Sequence, residues 1–279
     1  MNGPLVSVDW LAAEIGAPDL IVLDASFYLP TENRDPRAEF RAAHIPGARF
    51  FDIEALADDA TDLPHMVPTP GRFAQLVGAL GIGNDSRLVF YDQRGIFSAP
   101  RGWWLMGLFG HDRAAVLDGG LPAWRRAGHA VEQGEPPAPR PATFRPDFRA
   151  ARLRGIGDML ANVASRAELV LDARSAARFR AEAPEPRAGM RSGHIPGAAS
   201  LPFGELLAPD GTMLPPPALR VQLAEAGADG ARPVVTSCGS GVSAAVLTLA
   251  MVRAGLPMGA LYDGSWAEWG GRSDTPIDV

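Results

Sequence analysis

The sequence predicts an α/β fold that is present twice in tandem, each copy a mainly parallel sheet flanked by helices. Two observations lead to this prediction. Short, continuously apolar segments alternate with segments of helical periodicity, which is typical of a parallel sheet covered on both faces. In addition, short motifs of the first half recur in the second half. A chain of 279 residues is long enough for two domains.

Four motifs recur in the same order, about 145 to 150 residues apart. The pairs are Leu23-Asp24-Ala25 with Leu171-Asp172-Ala173, Ala43–Ala48 with Gly193–Ala198, Ser98-Ala99 with Ser243-Ala244, and Asp118-Gly119 with Asp263-Gly264. Four matches in register indicate two homologous domains. We place the first domain at 1–131 and the second at 153–279. The proline-rich segment 132–152 is predicted to be an extended linker, since closely spaced prolines interrupt helices and central strands.

Apolar runs and helical periodicity place the main elements within each half. The predicted strands are Ile21–Ala25, Leu88–Tyr91 and Ala114–Leu117, then Leu169–Leu171, Pro233–Ser237 and Ala260–Tyr262. The predicted helices are Arg72–Leu80, Ala99–Phe109 and Pro122–Ala127, then Ala218–Ala226 and Val242–Ala254.

The composition excludes several classes of function. The net charge is −6 and no basic stretch is interleaved with aromatic residues, so no nucleic-acid partner is expected. All 26 basic side chains are Arg, which excludes a Schiff-base or P-loop lysine. The five His show no metal-ligand spacing and a single Cys cannot build a thiolate site, so neither a metal nor another cofactor is expected.

The sequence also predicts where the protein works. No apolar run reaches the roughly 18 residues that a membrane helix needs, so no membrane partner is expected. The first residues lack the basic and apolar regions of a signal peptide. A single Cys cannot form an internal disulfide, which fits a reducing compartment. We therefore expect a cytoplasmic protein.

The segment Cys238–Ser243 joins a predicted buried strand to a predicted apolar helix. In a parallel sheet, ligands bind in the crevice at the carboxyl ends of the strands. The glycines of this loop, Gly239 and Gly241, allow several backbone N–H groups to turn inward beside a helix N-terminus. Such a setting favours a thiolate at Cys238 and would stabilise the outer sulfur of a persulfide anion.

The loop has three other possible interpretations. A lone buried Cys usually behaves as a small hydrophobic residue, but the position between a strand and a glycine-rich helix entry favours a nucleophile. A cysteine phosphatase requires Arg six positions after the Cys, where this chain has Ala244. The pattern Gly239-x-Gly241-x-x-Ala244 is also similar to a dinucleotide fingerprint, with Asp263 downstream. However, the first half keeps the matching Asp118 without the glycine pattern, which ties that aspartate to the fold.

The chain resembles the two-domain rhodanese family over nearly its whole length. Besides the repeated motifs, the resemblance rests on Ser98–Trp104, Asp118–Gly120 and Tyr262–Trp266. The loop Cys238–Val242 is similar to that of 3-mercaptopyruvate sulfurtransferases, whereas thiosulfate-using rhodaneses place basic residues directly after the Cys. A neutral loop suits a substrate whose charge lies away from the reacting sulfur, on a carboxylate.

The resemblance implies a set of site residues. Cys238 would be the nucleophile, and Arg178 and Arg187 would hold the substrate carboxylate, with Arg191 as the nearest rival. Loop residues that would contact the substrate or the persulfide are Gly239, Gly241, Val242 and Ser243. Ser240, His44 and Asp35 match positions proposed as a hydroxyl relay, although His44 belongs to a motif repeated at His194 and both His can instead fix a turn. Aligning the halves through Ser98 and Ser243 places Gln93 opposite Cys238, so the first domain would lack a nucleophile.

The expected activity follows from the resemblance. Sulfur would pass from 3-mercaptopyruvate through a Cys238 persulfide to an external acceptor, such as cyanide or a thiol of the thioredoxin type, releasing pyruvate. Two alternatives stay open: a thiosulfate:cyanide sulfurtransferase, and a non-enzymatic protein that binds persulfide or docks a partner.

Overall fold

The computed structural model describes residues 3–279, which divide into two compact units. The first unit contains residues 3–58, Val67–Arg149 and Ala208–Met213. The second unit contains Asp59–Met66, Ala150–Leu207 and Leu214–Val279. Within residues 3–279, no helix has both the length and the apolar character needed to cross a membrane.

The first unit is built around a parallel sheet in which the strand order is β1-β5-β4-β2-β3. Its strands are β1 Leu5–Val6, β2 Leu20–Asp24, β3 Arg49–Phe50, β4 Arg87–Tyr91 and β5 Ala114–Leu117. Its helices are α1 Val8–Glu14, α2 Pro36–Ala42, α3 Pro70–Ala79, α4 Ala99–Leu108 and α5 Gly120–Arg126, with a 3-10 turn at Pro30–Glu32.

The second unit repeats this arrangement, with the strand order β6-β10-β9-β7-β8 and parallel pairing. Its strands are β6 Leu153–Arg154, β7 Leu169–Asp172, β8 Ala199–Ser200, β9 Val234–Ser237 and β10 Ala260–Tyr262. Its helices are α6 Ile156–Ser165, α7 Ala176–Phe179, α8 Pro216–Glu225, α9 Ala244–Arg253 and α10 Ser265–Trp269, with 3-10 turns at Ala150–Arg152 and Phe203–Leu206.

The two central helices explain why the apolar patterns were so clear. Every residue of α4 is buried, and in α9 all residues from Ala244 to Met251 are buried. The strands beside them, β4 and β9, are buried on both faces over Leu88–Tyr91 and Val234–Ser237. A sheet covered on both faces requires continuously apolar strands, so the predicted α/β fold with two parallel sheets is confirmed.

The proline-rich segment is extended, but it clusters with the first unit as far as Arg149. Backbone hydrogen bonds attach it at intervals: Glu132 pairs with His44, Ala142 N–H donates to Gly78, and Asp147 N–H donates to Phe109. These contacts satisfy part of the backbone of a segment that proline keeps out of regular structure. The boundaries at 131 and 153 stay a prediction.

Asp24 ends β2 with its carboxylate fully buried. Burial raises the pKa of Asp24 to about 6, although hydrogen bonds from Ser26 and Gln93 act in the opposite direction. Ser26 donates both its backbone N–H, at 2.9 Å, and its hydroxyl, at 2.5 Å, and Gln93 Nε2 donates at 3.0 Å. The folded state therefore retains this proton at a pH where the unfolded chain has lost it.

An Asp24→Asn variant should change how stability depends on pH. Because the folded pKa lies above the unfolded one, the contribution of Asp24 is present at low pH and is lost as pH rises through about 6. Between pH 4.5 and 7.5 the free energy of unfolding of the native protein should fall by about 2 kcal/mol relative to the variant. Amide exchange in β2 and β4 at both pH values measures the difference. A difference that does not change with pH would contradict the assignment.

Candidate active site

Cys238 lies immediately after β9, at the carboxyl end of the sheet, and is 2% exposed. The loop that it begins leads directly into α9. Gly241 has a φ of +76°, a conformation that glycine adopts without strain. Val242 and Ser243 then start the helix, because their carbonyls accept the N–H groups of Ala245 and Val246. The predicted strand–loop–helix placement of the thiol is therefore present.

Ser240 is buried in the loop, and its hydroxyl lies 2.9 Å from Nδ1 of His65, which is also buried. His65 belongs to the same compact unit as the loop, although the two residues are 175 positions apart. A hydroxyl in contact with an imidazole can pass a proton to or from a neighbouring group. The sequence-based selection of site residues did not include His65.

The histidine predicted for the relay occupies a different setting. His44 Nδ1 lies 2.9 Å from the Phe40 carbonyl, and its ring stacks on Phe40 with centroids 4.3 Å apart. His194 repeats this arrangement with Phe179, at 3.0 Å and 3.8 Å respectively. Since both copies make the same contacts, the repeated His anchors its own turn to a phenylalanine of a helix in each unit. Within the second unit, the imidazole that contacts Ser240 is that of His65, and the relay role of His44 stays a prediction.

Asp35, the third residue of the predicted relay, caps α2. Its carboxylate accepts the N–H groups of Arg37 and Ala38, each at 2.9 Å. An aspartate at an N-cap satisfies backbone donors that the helix cannot satisfy itself. The structure thus gives Asp35 a structural role in the first unit.

A signal for His65 was present in the repeat. A residue that serves only the catalytic loop should occur once, as Cys238 does, whereas residues that maintain the fold should recur. His44 and His194 recur, but His65, His111 and His129 have no counterpart in the other half. This criterion would have narrowed the choice of a loop-specific histidine to three residues, one of which is His65.

Arg178 lies beside the loop. A Cβ built on Gly239 would be 3.2 Å from Nη2 of Arg178, so the guanidinium approaches the backbone next to Cys238. Glu185 holds this side chain by accepting from Nε at 3.2 Å and from Nη2. The predicted clamp residue is therefore adjacent to the predicted nucleophile, and a bidentate carboxylate partner orients it.

Glu185 is itself fixed by a second, fully buried arginine. Arg174 donates to Glu185 at 2.7 Å, to Asp172 at 2.7 Å and to the Gly193 carbonyl at 2.8 Å. Burial acts against the charge of Arg174, yet Asp172 and Glu185 together raise its pKa above the ordinary value. Asp172, Arg174 and Glu185 therefore form a buried ionic network that positions Arg178.

The other two arginines differ in their surroundings. Arg187 is half-buried in the segment that follows Glu185. Arg191 donates to backbone carbonyls of Trp269, Gly270 and Thr275, which hold the end of the chain against the unit. Because these carbonyls occupy the guanidinium of Arg191, it is a weak candidate for binding a substrate carboxylate.

The equivalent loop of the first unit shows which residue replaces the nucleophile. In the register of the two sheets, Asp24 pairs with Tyr91 and the equivalent Asp172 pairs with Ser237. The residue that follows β4 is therefore equivalent to the residue that follows β9, so Asp92 corresponds to Cys238. The helix contacts agree, since Leu121 N–H donates to the Asp92 carbonyl and Trp266 N–H donates to that of Cys238.

This register corrects the alignment that placed Gln93 opposite Cys238. Seven residues separate β4 from α4, whereas six separate β9 from α9. An alignment that starts from the two helices and counts back toward the strands is therefore shifted by one residue at the strand end, and it pairs Gln93 with Cys238 in error. Gln93 instead donates its side-chain amide to Asp24 and to the Ala43 carbonyl, each at 3.0 Å.

The Asp92 carboxylate fills the cradle of its own loop. It accepts five backbone N–H groups at 2.8 to 3.0 Å, from Arg94, Gly95, Phe97, Ser98 and Ala99. A loop of this shape binds an anion through converging amides. In the first unit the side chain of Asp92 occupies this anion site. In the second unit the equivalent residue is Cys238, which carries a thiol.

Comparison with known proteins agrees with the repeat and with the fold. The family model described as "Rhodanese-like domain" matches residues 7–127 and 157–272. The 3-mercaptopyruvate sulfurtransferase of Escherichia coli K12 is 41% identical, over 98% of this chain and 97% of that protein. The thiosulfate sulfurtransferase of Bos taurus is also 41% identical, over 95% and 91%.

A solved structure gives the same result. The crystal structure of SseA from Escherichia coli, described as a 3-mercaptopyruvate sulfotransferase, superposes with a TM-score of 0.86 at 38% identity. That match covers 95% of this chain and 99% of the other. The chain belongs to the rhodanese-like family and contains two of its domains.

Proposed function

We propose that this chain is a 3-mercaptopyruvate sulfurtransferase that carries sulfur as a persulfide on Cys238. The observation that carries the proposal is a single thiol at the carboxyl end of β9, in a neutral loop with Arg178 beside it. The hydroxyl of Ser240, in the same loop, and the imidazole of His65, which contacts it, supply a proton-transfer pair. The first unit is proposed to be non-catalytic, because Asp92 stands where a nucleophile would be.

The first half-reaction transfers one sulfur atom to the protein. The Cys238 thiolate attacks the sulfur of 3-mercaptopyruvate, and an S–S bond forms while the C–S bond breaks. The electron pair of the broken bond passes to carbon and gives the enolate of pyruvate. A proton completes pyruvate, and the Ser240–His65 pair is positioned to deliver it. The amides of Gly239, Gly241, Val242 and Ser243 are proposed to hold the persulfide anion.

The choice of donor depends on charge near the loop. The residues after Cys238 are neutral, while Arg178 approaches from one side of Gly239. This arrangement suits a substrate whose carboxylate lies away from the sulfur, and Arg178 with Arg187 would bind that carboxylate. Overall identity does not distinguish the donors, because relatives named for mercaptopyruvate and for thiosulfate are equally similar, at 41%.

The second half-reaction requires an external acceptor. The chain has one Cys, so no second thiol of the same chain can take the outer sulfur. A thiol of the thioredoxin type or cyanide attacks that sulfur and regenerates the Cys238 thiolate, which gives ping-pong kinetics. We place the protein in a reducing compartment such as the cytoplasm, where a free thiol and thiol acceptors coexist.

A brief pulse of 3-mercaptopyruvate tests the proposal. The intact mass should increase by one sulfur atom, one pyruvate should be released per chain, and dithiothreitol should reverse the gain. A gain from thiosulfate alone would assign the activity to the thiosulfate:cyanide class. Uptake of sulfur from neither donor would contradict an enzymatic role and favour the non-enzymatic alternative.

Glu185→Gln should weaken substrate binding. The substitution keeps the shape of the side chain but removes the charge that orients Arg178 and pairs with buried Arg174. We expect kcat/KM for 3-mercaptopyruvate to fall about 10- to 100-fold, mainly through KM, because the guanidinium is no longer held in place.

The matched control is Glu182→Gln in the same segment. Glu182 pairs with Arg180, but both side chains are 55% exposed, and exposed pairs contribute little. This control should leave KM unchanged. Equal KM values for native protein and Glu185→Gln, measured below their unfolding temperatures, would show that Glu185 does not position the clamp.

A further inference from the structure

Ser265 begins α10 in a conformation that side chains with a Cβ rarely adopt. Its φ is +48°, and the residue is completely buried. Left-handed backbone is unfavourable for residues other than glycine, and it persists only where the surroundings impose it. In the first unit the equivalent residue is Gly120, with a φ of +54°. The fold therefore accepts glycine at this position.

The hydroxyl of Ser265 makes two contacts that glycine cannot make. It accepts the backbone N–H of Cys238 at 3.2 Å and donates to the Tyr262 carbonyl at 2.9 Å. The hydroxyl thus ties the residue after β9 to the last residue of β10. It also satisfies a buried amide that would otherwise lose its partner.

The next two residues of α10 hold the other polar groups of the same loop. Trp266 N–H donates to the Cys238 carbonyl at 2.9 Å, and Ala267 N–H donates to the Gly239 carbonyl at 2.8 Å. In a trans peptide the C=O and the following N–H point in opposite directions. The N–H groups of Gly239 and Ser240 are therefore turned away from α10.

We propose that Ser265 is a positioning residue for Cys238, and this inference rests on the proposed sulfur transfer. Its hydroxyl fixes the Cys238 amide, which sets the direction of the thiol and of the first two amides available to the persulfide. In the first unit, where Asp92 stands in place of the thiol, the described residues keep the backbone contact from Leu121 to Asp92, and Gly120 has no side chain to add a second one. The strained serine is present in the half that carries the thiol.

Ser265→Gly separates this positioning role from a structural one. The substitution removes the backbone strain, which raises the free energy of unfolding, and it removes the hydrogen bonds, which lowers it. The variant should unfold at a denaturant concentration close to that of the native protein, since relief of the left-handed strain offsets the lost hydrogen bonds. Its single-turnover rate of sulfur loading from 3-mercaptopyruvate should fall about three- to tenfold, because the amide is no longer held. KM should stay within about twofold, because the arginine clamp is not touched.

Two further variants complete the experiment. Ser265→Ala keeps the left-handed strain but lacks the hydroxyl, so both its stability and its rate of sulfur loading should fall. If the glycine variant folds poorly, the loading rate of Ser265→Ala still tests the role of the hydroxyl. Ser273→Gly, at an exposed position of the same unit, should change neither. A native loading rate in both Ser265→Gly and Ser265→Ala would overturn the positioning role while leaving the proposed function intact. Native protein that takes up no sulfur would instead overturn the proposed function.

Discussion

Cys238→Ser is expected to take up no sulfur and to release pyruvate no faster than the uncatalysed reaction. An alcohol oxygen cannot form a persulfide, and the chain has no second thiol to replace it. Loss of a covalent nucleophile removes the whole reaction path, so turnover should fall by at least about a thousandfold. The measurement is the intact mass after a pulse of 3-mercaptopyruvate, together with pyruvate release over many turnovers.

The fold of this variant should be unaffected. Cys238 is 2% exposed in a tightly bonded loop, but Ser has nearly the same shape, so the loop can keep its hydrogen bonds. Native far-ultraviolet circular dichroism and a similar denaturation midpoint would establish that activity, not folding, was lost. Repeated turnovers by a folded Cys238→Ser protein would exclude a persulfide mechanism at this position.

Asp92→Ala is expected to lower the free energy of unfolding of the first unit by about 3 to 5 kcal/mol. The substitution removes a buried carboxylate that accepts five backbone N–H groups. Hydrogen bonds to a charged group stabilise more than neutral ones, and buried donors left without an acceptor are costly. Amide exchange in β4 and α4 measures the loss within the unit.

Asp35→Ala provides a graded control for this prediction. Asp35 also accepts backbone N–H groups, those of Arg37 and Ala38, but they lie at the exposed start of α2. Removing an N-cap costs about 1 kcal/mol. If Asp92→Ala were no more destabilising than Asp35→Ala, the carboxylate would not be the group that holds the loop together.

Prediction of the elements succeeded where the sequence pattern and the packing agree. The strands Ala114–Leu117 and Ala260–Tyr262 have the predicted bounds, and the central helices differ by no more than two residues at either end. The short strands β1, β3, β6 and β8 were not predicted. Each has two residues, too few for a periodic pattern, so their strand character arises only from pairing with a neighbour.

The amino-acid sequence by itself determined the tandem α/β fold, the single thiol and its loop, since these follow from periodicity, repetition and composition. Only the tertiary structure decided which groups meet that loop. His65 reaches Ser240 across 175 residues of chain, and no local pattern encodes a contact at that separation. Asp92, not Gln93, is the residue of the first unit that is equivalent to Cys238. Sequence alignment missed this because the loops of the two copies differ in length, whereas pairing with the neighbouring strand sets the register in a parallel sheet.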